Sequence, residues 1–116
     1  MKKLIWVKFQ RSGVHCYPNA PNECSYLASL HRHLFKFKVG IQVFHNDREI
    51  EFHMFLNWLE SLYQKENLFL DYQSCEMIAE DLINTIITRY PNRELEIEVS
   101  EDGECGVKVS YQPEYV

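Results

Sequence analysis

The segment Leu30-His31-Arg32-His33-Leu34-Phe35-Lys36-Phe37-Lys38-Val39-Gly40-Ile41-Gln42-Val43-Phe44 sets the reading of the chain. Its residues alternate strictly. His31, His33, Phe35, Phe37, Val39, Ile41 and Val43 share one face, and Arg32, Leu34, Lys36, Lys38, Gly40 and Gln42 share the other. A period of two is the signature of a half-buried strand, so His31–Phe44 is expected as β structure. Strand geometry also sends the two histidine side chains to the same side, about 7 Å apart along the backbone.

Next to this segment, His45-Asn46-Asp47-Arg48 is a polar turn. Upstream, Leu4 to Phe9 alternates as a first strand, and Arg11 to Ser29 carries Pro18, Asn19, Pro21, Asn22 and Ser25 as an irregular loop. A loop of that length in a small domain is often functional. Downstream, Phe52, Phe55, Leu56, Leu59, Leu62 and Tyr63 recur at helical spacing, which predicts a helix over about 52–64. Ser74 is suited to cap a second helix with the stripe Ile78, Leu82, Ile83, Ile86 and Tyr90, stopped by Pro91. Strands at Glu94–Glu101 and Val107–Tyr111 flank the turn Asp102-Gly103-Glu104, giving the order β-β-α-α-β-β.

With 116 residues the chain is expected to form one domain, 1–116. Its net charge of -5 weighs against a nucleic-acid face, which needs clustered Lys and Arg. No apolar run reaches the length of a membrane helix, and Lys8 and Gln10 interrupt the apolar start. A cytoplasmic protein without nucleic-acid or membrane partners is expected. Cys16, Cys24, Cys75 and Cys105 fit no CxxC spacing and read as free thiols.

Two imidazoles on one strand face can share a metal ion. His15 is the natural third ligand if the first strand pairs with the second. Three histidines without a fourth protein ligand describe an open site, at which zinc can hold water or polarise a substrate oxygen. His-x-His alone equally describes surface histidines. The shared face with Phe35, Phe37 and Val39 favours the metal, because a buried imidazole pair needs partners. His45 and His53 read as surface residues.

In order and spacing the chain resembles the 6-pyruvoyl- and 6-carboxytetrahydropterin synthases. The resemblance runs through His15, Leu30-His31-Arg32-His33, Ile50-Glu51-Phe52, Ser74-Cys75-Glu76-Met77-Ile78-Ala79 and Val99-Ser100-Glu101-Asp102. It implies the tunnelling fold, an α+β arrangement with a four-stranded antiparallel sheet and two helices packed on one face. It also implies zinc on His15, His31 and His33, and substrate binding by Glu101 and Glu76. Glu101 would anchor a pterin through its 2-amino group and the adjacent N–H. Cys24, seven residues before His31, and Asp71 would be the catalytic pair. Two departures stand out. Arg32 replaces the glycine of the family's His-Gly-His, and Tyr72 replaces a proton-relay histidine.

The resemblance implies a carbon–oxygen lyase acting on a dihydroneopterin-triphosphate-like substrate, the chemistry of pterin and queuosine biosynthesis. It further implies a trimer-based hexamer with its pocket between subunits. Tyr72 keeps a second reading open: a purine-, pterin- or nucleotide-binding protein of the sequestering kind, such as a phage could encode. A free tyrosine titrates near 10, far above histidine, and shuttles protons poorly at neutral pH.

Overall fold

The alternating segment forms β2 (His31–Val43), the central strand of a five-stranded sheet, in a computed structural model that describes residues 1–114. Its inward residues Phe35, Phe37, Val39 and Ile41 are at most 1% exposed. β1 (Lys3–His15) runs antiparallel on one side, with Phe9 opposite Phe37 and His15 opposite His31. On the other side lies β4 (Leu95–Glu101), with Val99 opposite Phe37 and Glu101 opposite Phe35, and β5 (Cys105–Tyr111) forms the edge beyond it. Directly opposed residues share a face, so this register carries one inward column from β1 to β5.

Three expectations are corrected. The first strand does not end at Phe9 but continues to His15, so the irregular segment is shorter. Within that segment, Asn22–Ala28 is a short 3-10 helix entered through Pro21, which makes a third helix. The sheet is mixed rather than four-stranded and antiparallel, because Leu68–Phe69 forms β3, parallel to the end of β1. The Leu70 amide donates to the Val14 carbonyl at 2.9 Å, and the Cys16 amide donates to the Asp71 carbonyl at 2.8 Å. These bonds satisfy edge groups of β1 that would otherwise need water.

Two longer helices cover the inward face. In α1 (Phe52–Ser61) the cap is Glu51, whose carboxylate accepts from the Met54 amide. Its buried Phe55 and Leu59 enter the core, and the following Tyr63 ring leans on Phe37 with centroids 5.0 Å apart. In α2 (Cys75–Arg89) Ser74 caps as expected, accepting from the Met77 amide, and Ile78, Ala79, Leu82, Ile83 and Ile86 are buried. The opposite sheet face stays open. On it Trp6 is 56% exposed, with the ammonium groups of Lys8 and Lys38 over its ring at 5.5 and 4.8 Å. None of the helices in the described residues is long and apolar enough to cross a membrane.

The end of the sheet remote from the histidines is tied by Glu49. Its carboxylate accepts from the Phe44 and His45 amides and from the Arg93 guanidinium. The Phe44 N–H first, then Arg93, hold this carboxyl below the usual range. A lowered folded-state value means stability that is present above the ordinary carboxyl range and lost as pH falls through the folded one. Glu49→Gln is therefore expected to lower the urea midpoint at pH 7. The gap to the parent should narrow as both are titrated towards pH 3. An equal gap at both pH values would refute it.

Candidate metal centre

The inward column explains why polar residues gather at one end of a hydrophobic sheet. Past Phe9 on β1 the inward positions become Arg11, Gly13 and His15, and before Phe35 on β2 they are His31 and His33. Gly13 sits opposite His33, where a Cβ would approach the Leu70 and Phe35 side chains to 3.0 and 3.1 Å. The three imidazoles crowd together as a result. Ring centroids are 4.6 Å apart for His15 and His31, 5.2 Å for His15 and His33, and 4.9 Å for His31 and His33. The buried Phe35 ring forms an apolar floor, 5.1 Å from His15 and 5.7 Å from His33.

Each ring has its Nδ1 engaged. His15 Nδ1 donates to the Gln73 carbonyl at 2.7 Å, His31 Nδ1 to the Ser29 carbonyl at 2.9 Å, and His33 Nδ1 to Asp102 Oδ2 at 2.8 Å. Carbonyl and carboxylate oxygens only accept, so the proton of each neutral ring sits on Nδ1 and the lone pair on Nε2. Nε2 of His15 and of His33 are buried without a hydrogen-bond partner among the described residues. Glu101 then brings in a carboxylate, with Oε2 2.9 Å from His33 Nε2 and 3.4 Å from His15 Nε2. The shorter contact has the distance of a hydrogen bond, but with the ring proton on Nδ1 neither atom has one to donate, and the nitrogen stays unsatisfied. One ligand atom from each of His15, His31, His33 and Glu101 lies within 4.8 Å of the others.

Buried acceptors aimed at one another repel unless a cation or proton lies among them. The four groups suit a metal ion, and their hydrogen-bonded Nδ1 atoms are the supports that orient imidazole ligands. One oxygen of Glu101 thus lies together with the three imidazoles expected as ligands.

The sequence marks Asp102 only as a turn residue, and no pattern in it signals a second role. It holds φ at 59°, a left-handed conformation that Asp tolerates better than most residues. From there Oδ1 accepts from the Leu34 amide at 2.8 Å while Oδ2 meets His33. The Leu34 N–H first, then His33, draw its carboxyl below the usual range. Asp102→Ala is expected to weaken metal binding by about 10–100-fold without changing the saturating stoichiometry. Competition with a chromophoric chelator measures this, and unchanged affinity would deny Asp102 an orienting role.

A cavity of about 520 Å³ opens beside the cluster, between the first turn of α2 and the strand ends. His15, His31, Glu101 and Glu76 line it, together with Tyr72. Three thiols not assigned a role from the sequence, Cys16, Cys75 and Cys105, line it as well. Burial first, then the charge of Glu101, pushes the Cys75 thiol up to about 12, so it is protonated at neutral pH. Cys24, in the 3-10 helix, and Asp71, exposed with φ at 52°, are not among the lining residues. Arg32 projects from the opposite sheet face, exposed and clear of the imidazoles. His45 and His53 lie at another cavity, with Lys3 and Glu49.

The fold and the cluster define an α+β protein with a candidate metal centre at one end of its sheet. No family model and no curated protein matches the chain.

Proposed function

We propose that the protein is a short, divergent tunnelling-fold protein of the 6-pyruvoyl-/6-carboxytetrahydropterin synthase type, holding zinc on His15, His31 and His33. Its reaction would be that of a carbon–oxygen lyase on a dihydroneopterin-triphosphate-like substrate. The observation that carries the reading is the convergence of three imidazoles with engaged Nδ1 atoms beside an open cavity, with Nε2 of His15 and His33 buried and unpartnered among the described residues. Zinc there would polarise substrate oxygens and acidify the neighbouring C–H bonds. Glu76 and Glu101, which both line the cavity, would offer carboxylates to the N–H edge of a pterin. Among the described residues no Lys or Arg lines the cavity, which suits recognition of a ring by its N–H donors.

A second chain fits this reading. Tyr17, Leu30, Tyr72 and Met77 are 49, 56, 59 and 45% exposed around the cavity end, apolar surface that association would cover. The edge strand β5 and the open sheet face would also be covered in the cytoplasmic trimer-based hexamer that belongs to this proposal. The lyase reading also requires Cys24 and Asp71 to reach the cavity, through the 3-10 segment or from a neighbouring chain.

The zinc-loaded protein is expected to consume dihydroneopterin triphosphate, followed by chromatography, and to stop when stripped by a chelator. Substrate left unchanged would overturn the lyase. The placement of Tyr72 in the cavity, with Cys24 and Asp71 outside it, favours a second reading: a protein that binds pterins or purine nucleotides without turnover. Calorimetry with pterins, guanine nucleotides and cyclic nucleotides separates the two. Binding without consumption supports the second reading, and binding of none overturns it.

A further inference from the structure

Glu101 occupies a place that an anchor for a heterocycle alone does not explain. It ends β4 on the inward column, opposite Phe35 of β2 and Cys105 of β5. Its side chain is a quarter exposed and lines the cavity, yet one carboxylate oxygen points back among the imidazoles. In a tetrahedral site with bonds of about 2.0–2.1 Å, neighbouring ligand atoms stand roughly 3.3–3.4 Å apart. The two separations from Glu101, 2.9 Å to His33 Nε2 and 3.4 Å to His15 Nε2, lie close to that edge length. The oxygen has no N–H aligned to it from either ring, because the ring protons are held on Nδ1 by Gln73 and Asp102.

We infer that Glu101 is the fourth protein ligand of the metal, so that the resting centre is closed, and that it is an exchangeable one. The inference rests on the proposed metal at His15, His31 and His33. A carboxylate that faces both the imidazoles and the cavity has two mutually exclusive partners. It can bind the cation, or it can accept from the paired N–H donors of a ring entering the cavity. Ring binding then vacates a coordination position, and metal binding opposes ring binding by the same factor. The N–H edge of the ring thereby acts as the key that opens the centre, which selects for amino-substituted heterocycles over bare phosphates or sugars.

The test uses the full chain loaded with cobalt(II), a spectroscopic stand-in for zinc, as wild type and as Glu101→Gln. Thermal melts of the metal-free forms verify that both fold. Glu101→Gln is expected to bind the metal at least 10-fold more weakly. Its visible bands should shift and change intensity as water takes the place of the carboxylate. Saturating neopterin should move the wild-type spectrum in the same direction and leave that of Glu101→Gln in place. Identical affinity and spectrum for the two proteins would overturn Glu101 as a ligand. A variant effect combined with a wild-type spectrum indifferent to neopterin would overturn the exchange. A wild type that takes up no metal sinks the metal reading itself, a result distinct from either.

Discussion

The double variant His31→Ala, His33→Ala is expected to carry no metal where the parent carries one ion per chain. These two residues supply two of the three imidazoles that converge on the cluster, and both are half-buried at the end of β2. A structural zinc site is worth about 10–16 kcal/mol in total, so each of four ligands accounts for roughly 3 kcal/mol. Losing two weakens binding on the order of 10⁴-fold, enough to empty the site during gel filtration. Elemental analysis of purified protein measures it. Retention of one ion by the double variant would place the metal elsewhere. Lowering the pH should release metal from the parent in the same assay, because protons compete for the same nitrogens.

The largest effect on the fold is expected from Phe37→Ala. Phe37 is 1% exposed, lies flat on Phe9 with centroids 4.6 Å apart and planes 2° apart, and meets the Tyr63 ring. Truncating such a ring costs about 3–5 kcal/mol, combining lost burial with a cavity the neighbours cannot fill. A domain of this size has about 5–15 kcal/mol in all. The urea midpoint should drop by about a fifth or more with an unchanged slope. A midpoint within experimental error of the parent would mean that the stacked pair does not hold the sheet to its helices.

Much of this was legible in residue order, and the failures share a cause. β2 could be read because its inward positions are apolar for most of their length. The two helices could be read because both carry an apolar stripe, and Ser74 marks the start of the second. The second half of β1 was missed because its inward positions, Arg11, Gly13 and His15, serve the polar end of the sheet and break the alternation that marks a strand. β3 has two residues and no periodicity, and its pairing with Gly13 and Val14 exists only in three dimensions. The histidines were evident as residue types. The approach of Glu101 to them was not, since it depends on the register that sets Glu101 opposite Phe35 across a separation of more than sixty residues. Nor does anything in the pattern reveal that the carboxylate of Asp102 reaches His33.

That register has a consequence for how the chain folds. The groups of the cluster come from β1, β2 and β4, so no local fragment contains the site, and it comes into being only when distant strands have joined. A cation captured there rewards the completed chain alone. At a free concentration a hundred times its dissociation constant it adds about 2.7 kcal/mol to the folded state and nothing to partly assembled ones. Metal supply in the surrounding medium would thus set how long a finished molecule survives, and starvation for it would be felt first as shortened lifetime.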